Sequence, residues 1–213
     1  MMYKIIIVLL FSLPIVSQCF SQDSYIELKD PAGFKQRFSE STKRTQTIEA
    51  NFVQEKNLSV FSEKITTRGT FLFKKERRLR WEYTDPFHYL IIINNGTMVI
   101  QDEDKTNKID VQSNKLFKEL NSIIIGCVQG DLFNDVKKFQ SSFLENRDNY
   151  LVKLKPAEKD LKEYLNEIQI TLDKKDLLVT RFEMTEPSGD NTIIFFKGRK
   201  INTNIPDEKF LVP

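Results

Sequence analysis

Few residues in this chain could do acid–base, nucleophilic or metal chemistry. His88 is the single histidine, which excludes a site built from several histidines. A Ser-His-Asp triad would have to use it. It follows Pro86 and Phe87 at the start of an expected strand, where a surface or turn histidine is the plain reading. Cys127 sits on the apolar face of an expected helix. There it reads as a small core residue rather than a nucleophile. No glycine-rich phosphate loop occurs, and no carboxylate pair stands out from ordinary surface charge. The expectation is a chain without catalytic residues, metal site or cofactor.

Two other groupings remain. Lys74, Lys75, Arg77, Arg78 and Arg80 crowd one turn between aromatic-rich strands, as a solvated turn or as a cluster with a specific role. A nucleic-acid surface is not expected, because 32 basic side chains stand against 30 acidic ones and leave no overall basic footprint. Phe71, Phe73, Leu79, Trp81, Tyr83, Tyr89, Ile91 and Ile93 recur along three neighbouring strands. They form either an ordinary core or a wide apolar cavity wall, and the pattern alone does not choose.

The elements that position these residues follow from periodicity. Asp30-Pro31 reads as an N-cap with proline at the first helical position. The helix should run to about Arg44, with Phe34 and Phe38 one turn apart on the same face. From Thr47 the period becomes two, with Ile48, Ala50 and Phe52 on one side. Further strands are expected at Glu63–Lys74, Arg77–Tyr83, Phe87–Asn94, Thr97–Asp102 and Lys108–Val111, with Asn94-Asn95-Gly96 as a hairpin turn. A helix capped at Ser113-Asn114 should run to about Gln129 and end at Gly130-Asp131, with a second short helical piece at Leu132–Lys138. Strands resume at Phe139–Glu145, Tyr150–Lys155, Tyr164–Asp173, Leu177–Glu186 and Asn191–Lys200, and a last one at Lys209–Val212. About eleven strands in an antiparallel meander must twist and curl, and the apolar helices must cover one face. The fold class is mainly β, a curved sheet or incomplete barrel with helices across its mouth.

The N-terminus sets the compartment. Lys4 precedes the apolar run Ile5–Val16, and the small residues Ser17, Cys19 and Ser21 follow, which is the pattern of a secretory signal peptide. The run falls short of the roughly 20 residues that span a bilayer. Gln18, where a lipidated Cys19 would want a small neighbour, favours cleavage after Ser21. The reading is a signal peptide over residues 1–21 and one soluble domain over 22–213. Cys127 is then the one cysteine left, so no internal disulfide forms, and packing by 17 phenylalanines must supply stability.

The run from Gly69 to Tyr83 (Gly-Thr-Phe-Leu-Phe-Lys-Lys-Glu-Arg-Arg-Leu-Arg-Trp-Glu-Tyr), followed by Pro86, resembles the LolA-like outer-membrane lipoprotein carriers. That family has a Gly-x-Phe strand, an Arg-Pro turn, then an Arg-Trp-x-Tyr strand and a proline. Ile48–Gln54 is similar to its first strand, Asn95-Gly96-Thr97 to its hairpin, and Phe210-Leu211-Val212-Pro213 to its Phe-x-x-Pro close.

The resemblance implies an incomplete antiparallel β-barrel with an α-helical lid over an apolar cavity. It also implies a function: a periplasmic monomer that takes acylated lipoproteins from an inner-membrane lipoprotein-releasing transporter to an outer-membrane acceptor. Another lipid or amphiphile carried on the same fold is the alternative. Burying acyl chain is worth about 0.8 kcal/mol per CH₂, so one chain resists passage through water by on the order of 10 kcal/mol. The resemblance places the cavity wall at Phe52, Phe71, Phe73, Leu79, Trp81, Tyr89 and Ile91. The family's lid is latched by an arginine whose place is taken here by Lys75, with Glu76 in place of the proline. Lysine keeps the charge and loses the planar fork, so Arg77 or Arg78 is the other candidate latch.

Overall fold

The computed structural model describes residues 24–60, 63–75, 78–94, 97–102, 105–110, 123–127 and 138–211. The signal-peptide reading, most of the expected central helix and all but the last residue of the piece at Leu132–Lys138 lie outside them. Among the described residues no helix is long and apolar enough to cross a membrane.

Helix α1 spans Pro31–Arg44, within the bounds its capping residues imply. The Asp30 carboxylate accepts from the Gly33 N–H at 2.8 Å, satisfying one of the donors that a helix start leaves open. Pro31 costs nothing at the first position because its missing N–H would have no partner there. Lys43 and Arg44 occupy the last turn, where positive charge suits the helix dipole. Phe34 and Phe38 are fully buried, with ring centroids 6.1 Å apart.

Among the described residues twelve strands form one antiparallel sheet. In chain order they are β1 (Ile26–Glu27), β2 (Thr47–Asn57), β3 (Lys64–Lys74), β4 (Arg78–Asp85), β5 (Tyr89–Asn94) and β6 (Thr97–Asp102). Then come β7 (Lys105–Asp110), β8 (Phe139–Glu145), β9 (Asn149–Pro156), β10 (Glu167–Asp173), β11 (Val179–Thr185) and β12 (Asn191–Ile201). Their spatial order is β1-β8-β9-β10-β11-β12-β2-β3-β4-β5-β6-β7. The long-range joint is β12 on β2, where Ile194 faces Gln54 and Phe196 faces Phe52 across the ladder. With β1 and β7 left at the two ends, the barrel is incomplete, as the meander implied.

The period-two pattern explains which face is buried. Ile48, Ala50 and Phe52 on β2, Phe71 and Phe73 on β3, and Leu79 and Trp81 on β4 are all buried. All of these but Ala50 form one half of the core with Ile93, Met98 and Ile100. The other half gathers Phe34 and Phe38 of α1 onto Val152, Leu154, Ile168, Ile170 and Leu172 of β9 and β10. Phe182 of β11 packs against both halves. The helical residues 123–127 bridge them too, since Ile123 belongs to one and Ile124 packs on the other.

Three expectations need correction. The twelfth strand, β1, is two residues long and exists by pairing Ile26 and Glu27 with Glu145 and Leu144; so short a segment carries no periodic signal. Strand β10 begins at Glu167 instead of Tyr164, because a helical turn at Lys159–Lys162 precedes it and buries Leu161. The expected strand from Lys209 is a 3-10 turn over Asp207–Phe210. Pro206 stands at its start, and Phe210 inserts into the core with 1% exposure.

Candidate functional site

Between α1, residues 123–127 and the sheet lies an apolar cavity of about 80 Å³. Its helical side is Ser41, Thr42, Thr45, Ile124 and Cys127. The threonine hydroxyls donate back into the helix, Thr42 to the carbonyls of Phe38 and Ser39 at 3.0 Å and Thr45 to that of Ser41 at 3.1 Å. Their polar atoms are therefore already occupied. Strands β2 to β4 contribute Ile48, Ala50, Phe71 and Trp81. The far wall is Leu177 and Leu178 in the β10–β11 turn, Val179 and Phe182 on β11, and Ile194, Phe196 and Arg199 on β12.

Three of these rings make a mutually edge-on floor. Centroids lie 5.4 Å apart for Phe71 and Trp81, 5.7 Å for Phe71 and Phe196, and 5.9 Å for Trp81 and Phe196. Such tilted contacts add to the area the rings bury. Cys127 lines this space, and burial pushes its thiol up to about 12. It stays protonated at neutral pH and serves as a small apolar group.

Of the residues expected to form the wall, Phe71 and Trp81 line this cavity. Phe52, Phe73 and Leu79 are buried in the same cluster but behind the lining. Phe52 rests its ring on Trp81 at 4.9 Å and on Tyr83 at 5.1 Å. Tyr89 and Ile91, one strand further out on β5, pack partly buried at the cluster's margin. Alternation tells which face of a strand turns inward, not how far along the sheet the space lies. The β11 and β12 walls escaped because the quoted resemblance is concentrated in β3 and β4. Phe182, Ile194 and Phe196 lay within expected strands and carried the signal that would have found them. Arg199 and the threonines carried none.

The basic cluster is drawn into the chain. The Lys75 ammonium donates to the Lys43 carbonyl in the last turn of α1, and the Lys75 N–H donates to the Gln46 carbonyl at 2.8 Å. The neighbouring cations turn the other way. Lys74 donates to the Ile205 carbonyl at 2.8 Å and pairs with Asp207. Arg78 pairs with Asp207 at 2.6 Å, and Arg80 donates to the Lys209 carbonyl at 3.1 Å. These bonds strap the C-terminal segment across β3 and β4; Arg77 lies outside the described residues.

His88 is half exposed and meets Glu82 at 3.0 Å. Among the described residues no three His, Cys, Asp or Glu side chains converge as metal ligands would.

Known proteins bear on this arrangement in two ways. In fold, MucB matches with a TM-score of 0.52 at 13% identity, over 85% of this chain and 62% of that one. A chain of the Pseudomonas aeruginosa MucA/MucB complex gives 0.50 at 11% identity, over 85% and 60%. In sequence, an outer-membrane lipoprotein carrier protein of Pseudomonas putida (strain GB-1) is 25% identical over 179 residues, which is 82% of this chain and 81% of that protein. The family model for the outer membrane lipoprotein carrier protein LolA matches residues 43–212, and the chain belongs to that family.

Proposed function

We propose that this protein is a periplasmic carrier that holds the acyl chains of lipoproteins non-covalently and ferries them from the inner to the outer membrane. It would work after removal of residues 1–21, as a single-domain monomer without catalytic groups or cofactors, between an inner-membrane transporter and an outer-membrane acceptor. The observation that carries this reading is the apolar cavity roofed by α1 and residues 123–127, in a chain of the LolA family.

Size gives the mechanism. A dry apolar cavity of about 150 Å³ accepts benzene, so about 80 Å³ is too small for an acyl chain. Cargo would enter by displacing α1 and residues 123–127 from the sheet, which widens this space. Opening must break contacts, and that cost lowers apparent affinity by the fraction of molecules that are open. A carrier needs this, because it must release its cargo as well as take it up. The aromatic floor of Phe71, Trp81 and Phe196 would receive the chain, and Lys75 would latch α1.

The test is native mass spectrometry of the mature protein isolated from its own periplasm, with the extracted lipid analysed alongside. A lipoprotein or its acylated N-terminal fragment, bound one to one, is the expected result. A different lipid moves the function to another transport route on the same fold. A protein that arrives empty and takes up no acylated peptide in vitro removes the carrier reading.

A further inference from the structure

Among the described residues lining the cavity, Arg199 is the one charged side chain. Its presence there is built into β12. Inward residues Ile194 and Phe196 alternate along this strand, and the same period would turn Arg199 away from them. The ladder instead slips: Lys197 pairs with Asn51, but Lys200 pairs with Glu49. One extra residue is thus accommodated on β12, with Gly198 at φ +59°. This is a β-bulge with glycine in the left-handed region, a device that re-aims the following side chain.

The Arg199 side chain is 16% exposed, and its guanidinium has definite partners. It donates to the Leu178 carbonyl at 3.0 Å, to Asp176 at 3.4 Å and to Asp173 at 3.3 Å. The shortest bond goes to a neutral carbonyl. The Nε–H makes no hydrogen bond among the described residues, although a guanidinium carries five donors in a fixed fork. The threonine hydroxyls of the lining bond within α1; the Trp81 indole N–H is a second buried donor without a hydrogen-bond partner among the described residues, but a neutral one.

Charge decides what this donor accepts. One guanidinium faces two carboxylates, so the group is net negative. Lys174 is occupied with Glu145 at 2.6 Å, and Lys175 is exposed to solvent, where its charge is screened. A phosphate or free carboxylate arriving here meets like charge, whereas a neutral carbonyl oxygen does not and can accept from the guanidinium. Building on the carrier reading, we infer that Arg199 is the polar anchor of the cavity, binding the ester or amide carbonyls that link acyl chains to the cargo and disfavouring anionic lipids.

The experiment compares three probes of equal chain length on the mature protein: a diacyl (ester-linked) lipopeptide, its dialkyl ether analogue without carbonyls, and the free fatty acid anion. Binding is read from Trp81 fluorescence and confirmed by calorimetry. The wild type is expected to prefer ester over ether by roughly tenfold, the worth of one charge-assisted hydrogen bond, and to bind the anion more weakly than the ester. Arg199→Met should weaken ester binding more than ether binding, bringing the ester-to-ether ratio close to one, with folding checked by circular dichroism. Equal affinity of the wild type for ester and ether overturns the inference and leaves the carrier reading intact, and it does so whether or not the variant folds. An equal loss for both probes in Arg199→Met also overturns it, since that marks a structural role. If the wild type binds none of the probes, the carrier reading itself fails.

Discussion

The ammonium of Lys75 is bonded to the backbone carbonyl of Lys43, tying the β3–β4 turn to the last turn of the helix that roofs the cavity. The last carbonyls of a helix have no partner within it and lie at the negative end of its dipole. A cation placed there satisfies an acceptor and the dipole together. The backbone bond from Lys75 N–H to the Gln46 carbonyl, 2.8 Å long, holds the turn in place beneath it. The contact is one point of attachment at the helix end, whereas Phe34 and Phe38 hold its middle by burial.

Replacing Lys75 by Met removes the attachment and keeps most of the side-chain bulk. One such bond at a solvent-accessible site is worth about 1 kcal/mol, so the open population should rise about fivefold and acyl-probe uptake should quicken by a similar factor. Lys75→Arg should stay close to the wild type. Stopped-flow fluorescence of Trp81 measures this directly; an uptake rate unchanged in Lys75→Met would remove the latch.

Gly69 tests a different contact. A Cβ built there would lie 1.9 Å from the Glu82 carbonyl oxygen and 2.7 Å from the Phe52 ring. Backbone cannot step aside as a flexible side chain can. Gly69→Ala should therefore cost about 3 kcal/mol or more by overpacking, or yield no soluble protein. A urea midpoint within error of the wild type would show that β3 and β4 can separate without penalty.

Much of this architecture was legible because its signals are local. Asp30-Pro31 marked the start of α1, and the change of period at Thr47 marked β2. Strands β6 and β8 fell on Thr97–Asp102 and Phe139–Glu145, as the sequence reading placed them. What stayed hidden depends on residues far apart in the chain. The 3-10 turn at Asp207 is held by Lys74 and Arg78, more than a hundred positions earlier, and no window on the sequence joins them. The aim of Arg199 depends on a bulge that appears once β12 lies against β2. The cavity shares this origin, for its far wall, Phe182, Ile194 and Phe196, meets Phe71 and Trp81 only across that same joint.

The hold of α1 on the sheet gives a stability prediction. Phe34 has no exposed surface and packs against Tyr150 at 4.6 Å and Phe143 at 5.9 Å. Phe34→Ala should cost about 3–5 kcal/mol, seen as a lower urea midpoint at constant m-value. Val60, 81% exposed, is the control, and Val60→Ala should change stability by less than about 0.5 kcal/mol. A loss of similar size in both variants would mean that burial under α1 is not what Phe34 contributes.

The C-terminal strap should come undone with acid. Hydrogen bonds from Lys74 and Arg78, with their charges, hold the Asp207 carboxyl below its ordinary value of 3.8. A depressed carboxyl pKa stabilises the folded state at pH above the unfolded value, and the contribution is lost as pH falls through the folded one. The wild type should therefore be more stable than Asp207→Asn at neutral pH, with the difference constant down to about pH 5. Below that the two melting temperatures should converge, as protons remove the charge that the asparagine never had. Because Asp207 is well exposed, added salt should shrink the neutral-pH difference too. Melting curves of both proteins from pH 7 to pH 2, at low and high salt, measure it. A gap that persists unchanged to pH 2 would assign the strap's hold to Phe210 and Ile205 packing rather than to the Lys74–Asp207–Arg78 cluster.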